Sequence, residues 1–158
     1  MHKLFLTLIL LDFSVSIFCC QCLFGTPLQH FCLANTVVKL NVKSEKTYGN
    51  AREYDVEILE TLKSNSRSLP QKMKLLTSYG TGLCGLELEK GVTYLLTSLL
   101  LTPINKKAQP VLVSSSCSYH LNLDKATEKQ KKAALGPFIP ELNCDQPAAK
   151  IPDLTVSN

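Results

Sequence analysis

Histidine is scarce in this chain, and the motifs most hydrolases need are missing. The 158 residues hold three histidines. Beyond the apolar leader only His30 and His120 remain, and neither sits in a zinc-protease or hydrolase motif. Each reads as a surface or hydrogen-bonded side chain. Ser114 to Ser116 form a strand-like run without a nucleophile elbow. Gly80 and Gly82 lack the strand-to-helix setting of a phosphate loop and read as a turn. An enzyme is not expected. Apolar runs are short as well: past residue 19 none approaches the roughly 20 residues that span a bilayer. There is no internal repeat and no Asn-x-Ser/Thr sequon, so N-glycosylation is not expected. Excess charge is limited too. A net charge of +4 implies no nucleic-acid partner and at most a weak attraction to acidic matrix polysaccharide. Lys129, Lys131 and Lys132 give one cationic helix face, which reads as solvated.

Cysteine, by contrast, is abundant and clustered at the front. Residues 1–19 read as a secretory signal, with Lys3 as a short positive region and Leu4 to Leu11 as the apolar core. Asp12 and the bulky Ile17 are imperfect features of that signal. Seven cysteines occur, at positions 19, 20, 22, 32, 84, 117 and 144. Cleavage after Ser16 would leave all of them and one odd thiol, whereas cleavage after Cys19 leaves an even set that can pair completely. The expected mature chain therefore begins at Cys20, is exported, and carries three bridges. Each could stabilise it by roughly 2–4 kcal/mol. Six cysteines allow fifteen connectivities, and spacing does not choose among them.

Thr26-Pro27-Leu28-Gln29 has the form of a helix start, with Thr26 as cap, Pro27 at the first position and Gln29 completing a capping box. Leu28, Phe31 and Cys32 fall on one face of that short helix. Val38 to Val42 and Tyr54 to Ile58 alternate apolar and polar residues as half-buried strands do. Ser44 to Arg52 between them reads as a hairpin loop, and Lys63 to Lys72 as another loop. Met73 to Thr77, Thr93 to Leu100 and Val111 to Ser115 are further strands. Tyr79 to Gly82 form a turn leading into Cys84-Gly85, Glu89 to Gly91 a tight turn, and Pro103 to Pro110 a third connection. A helix is expected from Asp124 to Leu135, closed by Gly136-Pro137. About five strands with tight turns, then a helix, point to a small barrel. Gln146 to Asn158 have no periodic pattern and read as a mobile tail.

A chain that begins at Cys20 would present an α-amine and a carbonyl on one residue, and the two can close a five-membered chelate ring on a metal. An α-amino pKa of roughly 7.7–8 makes deprotonation on binding inexpensive. The sulphurs stay free to form disulfides, which an exported protein favours over thiolate ligation. A catalytic zinc keeps one open position for water. An amine and carbonyl inserted there would expel that water and remove the nucleophile. Bridges at Cys20 and Cys22 would hold the tip in place before binding and so reduce the ordering cost.

These residues resemble the tissue inhibitors of metalloproteinases, of the netrin-like domain family. Cys20-Gln21-Cys22 followed, after nine intervening residues, by Cys32 reproduces that family's start. Cys84, Cys117 and Cys144 lie near its partner cysteines. Pro27, Phe31, Gly85 and the helix before the last cysteine also match, so the resemblance spans 20–144. It implies a disulfide-stapled, mainly β fold: a five-stranded OB-type barrel with flanking helices and a netrin-like inhibitory domain over 20–144, which leaves 145–158 as the flexible tail already read from its lack of pattern. It implies the pairings Cys20–Cys84, Cys22–Cys117 and Cys32–Cys144. By the same resemblance, the backbone amine and carbonyl of Cys20 would coordinate the zinc of a partner protease, with no cofactor belonging to this chain. Gln21 would point into the specificity pocket. Cys22, Leu23 and Phe24, with the segment Tyr79 to Leu83 (Gly82 and Leu83 above all) and Cys84, would complete the contact ridge.

Gln21 stands where that family usually has Thr or Ser, and Leu23-Phe24-Gly25-Thr26 replace its proline- and histidine-containing run. The chain stops soon after Cys144, so no second subdomain is expected. The implied activity is inhibition of an extracellular zinc metalloendopeptidase by a secreted monomer. The alternative, motivated by Gln21 and the altered ridge, is a netrin-like extracellular binding module that does not inhibit proteases.

Overall fold

The computed structural model describes residues 20, 22, 25–65, 68–103, 108–136 and 144. The expected signal over 1–19 and tail over 145–158 lie outside the described residues, as do Gln21, Leu23, Phe24 and Pro137. Among the described residues, six strands and two short α-helices follow one another: α1 Pro27–Leu33, β1 Thr36–Tyr48, β2 Ala51–Ser64, β3 Lys72–Ser78, β4 Thr93–Leu101, β5 Val111–Val113, β6 His120–Asn122 and α2 Glu128–Leu135.

The strands close into a five-stranded barrel. β1 pairs antiparallel with both β2 and β4, β2 with β3, and β4 with β5, while β3 and β5 are parallel. Ring closure leaves these strands no free edge over the paired stretches. β6 lies beside the first half of β4, pairing Tyr94–Leu96 with His120–Asn122. The alternation along β1 and β2 has a direct consequence. Val38, Leu40 and Val42 meet Tyr54, Val56 and Ile58 inside the barrel, with Met73, Leu75, Leu86, Leu96 and Leu112. The opposite face of β1 and β4 supplies Val37 and Leu95 to a second cluster under the helices, with Leu123 and Ala134 buried and Phe31 packed against them.

Both helices begin with reciprocal capping boxes. Thr26 accepts from Gln29 N–H while the Gln29 side chain accepts from Thr26 N–H, and Thr127 and Gln130 do the same for α2. At the end of α1, Lys63 Nζ donates to the Phe31 carbonyl (2.8 Å) and the Cys32 carbonyl (3.2 Å), satisfying groups that a helix terminus leaves unpaired. Burial holds that ammonium below the ordinary lysine range.

Four local expectations are corrected. Ser44 to Arg52 is not a loop: β1 continues to Tyr48, β2 starts at Ala51, and only Gly49 and Asn50 turn. Gly49 has φ +55°, the left-handed conformation that tight hairpins require. Polar cross-strand pairs carry the ladder outward, with Ser44 opposite Asp55 and Lys46 opposite Glu53. The Lys63–Lys72 loop is shorter than expected, because β2 runs to Ser64 and β3 starts at Lys72. β5 ends at Val113, short of Ser115. The second helix starts at Glu128, not Asp124, because Asp124 is engaged elsewhere. Its carboxylate accepts from Thr93 N–H (3.0 Å), and Asn122 Oδ1 accepts from Asp124 and Lys125 N–H (3.0 Å each).

Candidate functional site

The amino-terminal cysteines are held at one end of the barrel by two loops. Cys20 is bonded to Cys84 (Cα–Cα 5.3 Å) and Cys22 to Cys117 (Cα–Cα 5.1 Å). A third bridge, Cys32–Cys144 (Cα–Cα 5.6 Å), fastens α1 to the region after α2. Cys20 Sγ also lies 3.5 Å from Cys117 Sγ and 3.9 Å from Ser116 Oγ. The sulphurs of Cys20, Cys84 and Cys117 fall within 4.8 Å of one another. All three are in disulfides, so they have no thiolate to offer a metal. What the bridges leave available is backbone.

The loop carrying Cys84 is shaped by close approaches. It leaves β3 through Gly80, whose φ is +90°, and makes a single 3-10 turn over Thr81–Leu83. Leu83 N–H and Gly85 N–H both reach the Gly80 carbonyl, at 3.3 and 3.1 Å. Cys84 itself is left-handed, with φ 58°, a conformation costing roughly 1–2 kcal/mol for a side-chain-bearing residue. Its disulfide and neighbours hold it there. Gly85 has no room for a side chain: a Cβ would stand 2.3 Å from the Ser78 carbonyl oxygen and 2.9 Å from that of Gly80. Cys84 then accepts from Ser116 N–H at 2.9 Å, joining its loop to the Ser115–Ser118 turn that holds Cys117.

Two exposed apolar side chains stand on this loop, Tyr79 (46% exposed) and Leu83 (53%). The β1–β2 hairpin reaches the same place, since the Asn50 carbonyl accepts from Tyr79 N–H at 2.8 Å. The structure thus gathers Cys20, Cys22, Gly82, Leu83 and Cys84 at one end of the barrel, while Gln21, Leu23 and Phe24 lie outside the described residues. The histidines are bland. His120 Nδ1 donates to the Ser118 carbonyl at 2.9 Å, and the His30 ring stands 6.2 Å from that of Tyr119.

Sequence reasoning missed Arg52. It is 9% exposed and ends the inward-facing series Arg52, Tyr54, Val56, Ile58. The period-two pattern already contained that signal. Arg52 Nη1 donates to Tyr54 Oη and to the Leu86 carbonyl, both at 3.3 Å, and its guanidinium lies 5.0 Å from the centre of the Tyr79 ring. Tyr54 Oη in turn donates to the Leu86 carbonyl (3.2 Å) and accepts from Leu88 N–H (3.0 Å). Burial raises the Tyr54 phenol above its ordinary range, outweighing the Leu88 N–H and Arg52, which lower it.

Residues 29–135 match the family model described as the UNC-6/NTR/C345C module. The chain belongs to this family. The matched NTR region covers the barrel and both helices apart from the first turn of α1, and it begins after the cysteine-led segment. The chain is also similar to a protein of Drosophila melanogaster called "Tissue inhibitor of metalloproteinase", at 27% identity over 129 residues. That alignment takes in 79% of this chain and 56% of the relative, so the NTR chain spans little more than half the length of the fly protein. Among the described residues, no helix is long and apolar enough to cross a membrane.

Proposed function

We propose that this NTR protein is a secreted inhibitor of zinc metalloendopeptidases that acts through the backbone of Cys20. The observation that carries the reading is the anchoring of Cys20 and Cys22 by bridges to two separate loops of the barrel end. Similarity to the fly inhibitor supports the class of target, and three disulfides suit an oxidising, extracellular compartment. With the signal removed, the free α-amine and carbonyl of Cys20 would take the open zinc position of the protease and expel its water. The bridges limit the entropy lost on docking. Gln21 would enter the pocket beside the zinc. Leu23, Phe24, Gly82 and Leu83 would bear on the surrounding cleft. The zinc belongs to the protease.

The test is a titration of a panel of zinc metalloendopeptidases with protein whose mass shows a Cys20 terminus. Stoichiometric loss of peptidase activity is expected. A second reading follows from where the family match starts. It begins at residue 29 and leaves out Cys20 and Cys22, so the barrel can serve as an extracellular binding module without inhibition. Failure to inhibit any member of the panel, with the Cys20 terminus verified, would favour that reading.

A further inference from the structure

We infer that Arg52 is a positioning residue that clamps the Cys84 loop and thereby sets the place of Cys20. The effect on inhibition rests on the proposed function; the clamp itself does not. Loop 79–87 leaves the barrel at Tyr79 and returns at Leu86, and the Arg52 guanidinium touches both ends. Its Cζ lies over the Tyr79 ring, 5.0 Å from the ring centre, and Nη1 donates to the Leu86 carbonyl at 3.3 Å. Nη2 donates to Glu87 Oε1 at 3.5 Å, and Nε lies 3.0 Å from Glu45 Oε1 as an ion pair without hydrogen-bond alignment. One buried cation therefore stands between Glu45 of β1, the β3 exit and the return segment Leu86–Glu87. The planar, multi-donor form of arginine suits this; a lysine would keep the charge but could not stack and fork at once.

The clamp acts on the part of the molecule where position matters most. Between its two ends lie Gly80, the left-handed Cys84 and the crowded Gly85, and Cys84 is bonded to Cys20. Without Arg52 the Tyr79 end loses its cation contact while the Leu86 end keeps Tyr54 and Thr77, so the freed side of the loop lets Cys84 shift, and the shift reaches Cys20 through one disulfide. Removing Arg52 need not unfold the barrel. Tyr54 Oη already donates to the Leu86 carbonyl and accepts from Leu88 N–H, so these buried groups remain paired without the guanidinium.

The experiment compares the mature protein with Arg52→Met and Arg52→Lys by amide hydrogen exchange and by inhibition. The Gly85 and Ser116 amides report on the loop, because their bonds run to the Gly80 and Cys84 carbonyls; the barrel amides of Val38 and Leu96 are the internal reference. Arg52→Met should speed exchange at Gly85 and Ser116 relative to Val38 and Leu96. Its inhibition, corrected for folded fraction, should weaken on the order of ten- to hundredfold, the scale on which small displacements of a positioned group act. Arg52→Lys should fall between it and the parent. If Arg52→Met does not fold, Arg52→Lys decides the matter. Loop-to-barrel exchange ratios unchanged from the parent in a folded variant would overturn the inference. A parent that inhibits nothing would instead refute the proposed function, and the exchange ratios would still judge the clamp.

Discussion

The Cys20 sulphur lies 3.5 Å from the Cys117 sulphur, so the two bridges that fasten the amino-terminal segment touch each other. The Cys84 loop and the Ser115–Ser118 turn meet behind them, through Ser116 N–H and the Cys84 carbonyl. Two loops from different strands thus form one seat for one short segment.

That seat depends on both bridges. Replacing Cys22 and Cys117 together by serine should cost about 2–4 kcal/mol of stability, since the bridge closes a long loop. Inhibition should fall further than the folded fraction does, because the tip loses one of its two anchors. Denaturant unfolding beside an inhibition titration separates the two effects. Parent-like inhibition by the folded double variant would contradict the role given to the second anchor.

Gly85 should tolerate no side chain. The Cβ of Gly85→Ala would stand 2.3 Å from a backbone carbonyl oxygen, and backbone has little freedom to yield. A loss of roughly 1–3 kcal/mol is expected, in the range of other overpacked sites. Displacement of Cys84 should also weaken inhibition. A thermal melt indistinguishable from the parent would show that the loop is more open than described.

Acid should loosen the β1–β2 hairpin. The Asp55 carboxylate accepts from Ser44 Oγ at 2.6 Å and faces Lys46, and these hold its pKa below the ordinary value of 3.8. Lys43 similarly holds Glu57 below 4.5. Because the folded pKa values are depressed, the unfolded chain takes up protons first as pH falls. This stabilisation is complete above the ordinary carboxylate range and is lost as pH drops through about 4 and below. Melting temperature followed from pH about 6 to about 2 should fall, and Asp55→Asn should flatten part of that slope. An identical slope in the variant would refute the Asp55 contribution.

Much of the barrel was legible because Val38 to Val42 and Tyr54 to Ile58 alternate cleanly, and both faces of β1 end against something. The outer hairpin was not. Ser44, Glu45, Lys46 and Thr47 are polar on both faces, and only cross-strand pairing with Arg52 to Asp55 reveals the ribbon. β6 has three residues and acquires meaning only beside β4. At α2 two polar residues competed for the cap; Thr127 caps it because Asp124 serves the Thr93 amide. Arg52 was hidden by its charge, which suggests a loop, although it carries the inward series back to the start of β2. The cysteine spacing drew attention to Cys20 and Cys84, but not to the guanidinium that braces their loop.

The central claim is that the free backbone amine of Cys20 blocks a protease zinc. The most direct measurement compares protein beginning at Cys20 with the same protein carrying one alanine before it, against a zinc metalloendopeptidase that the first inhibits. The added residue should leave folding and disulfides unchanged and abolish inhibition, because the amine becomes an amide that cannot ligate. Equal inhibition by the two proteins would contradict the mechanism.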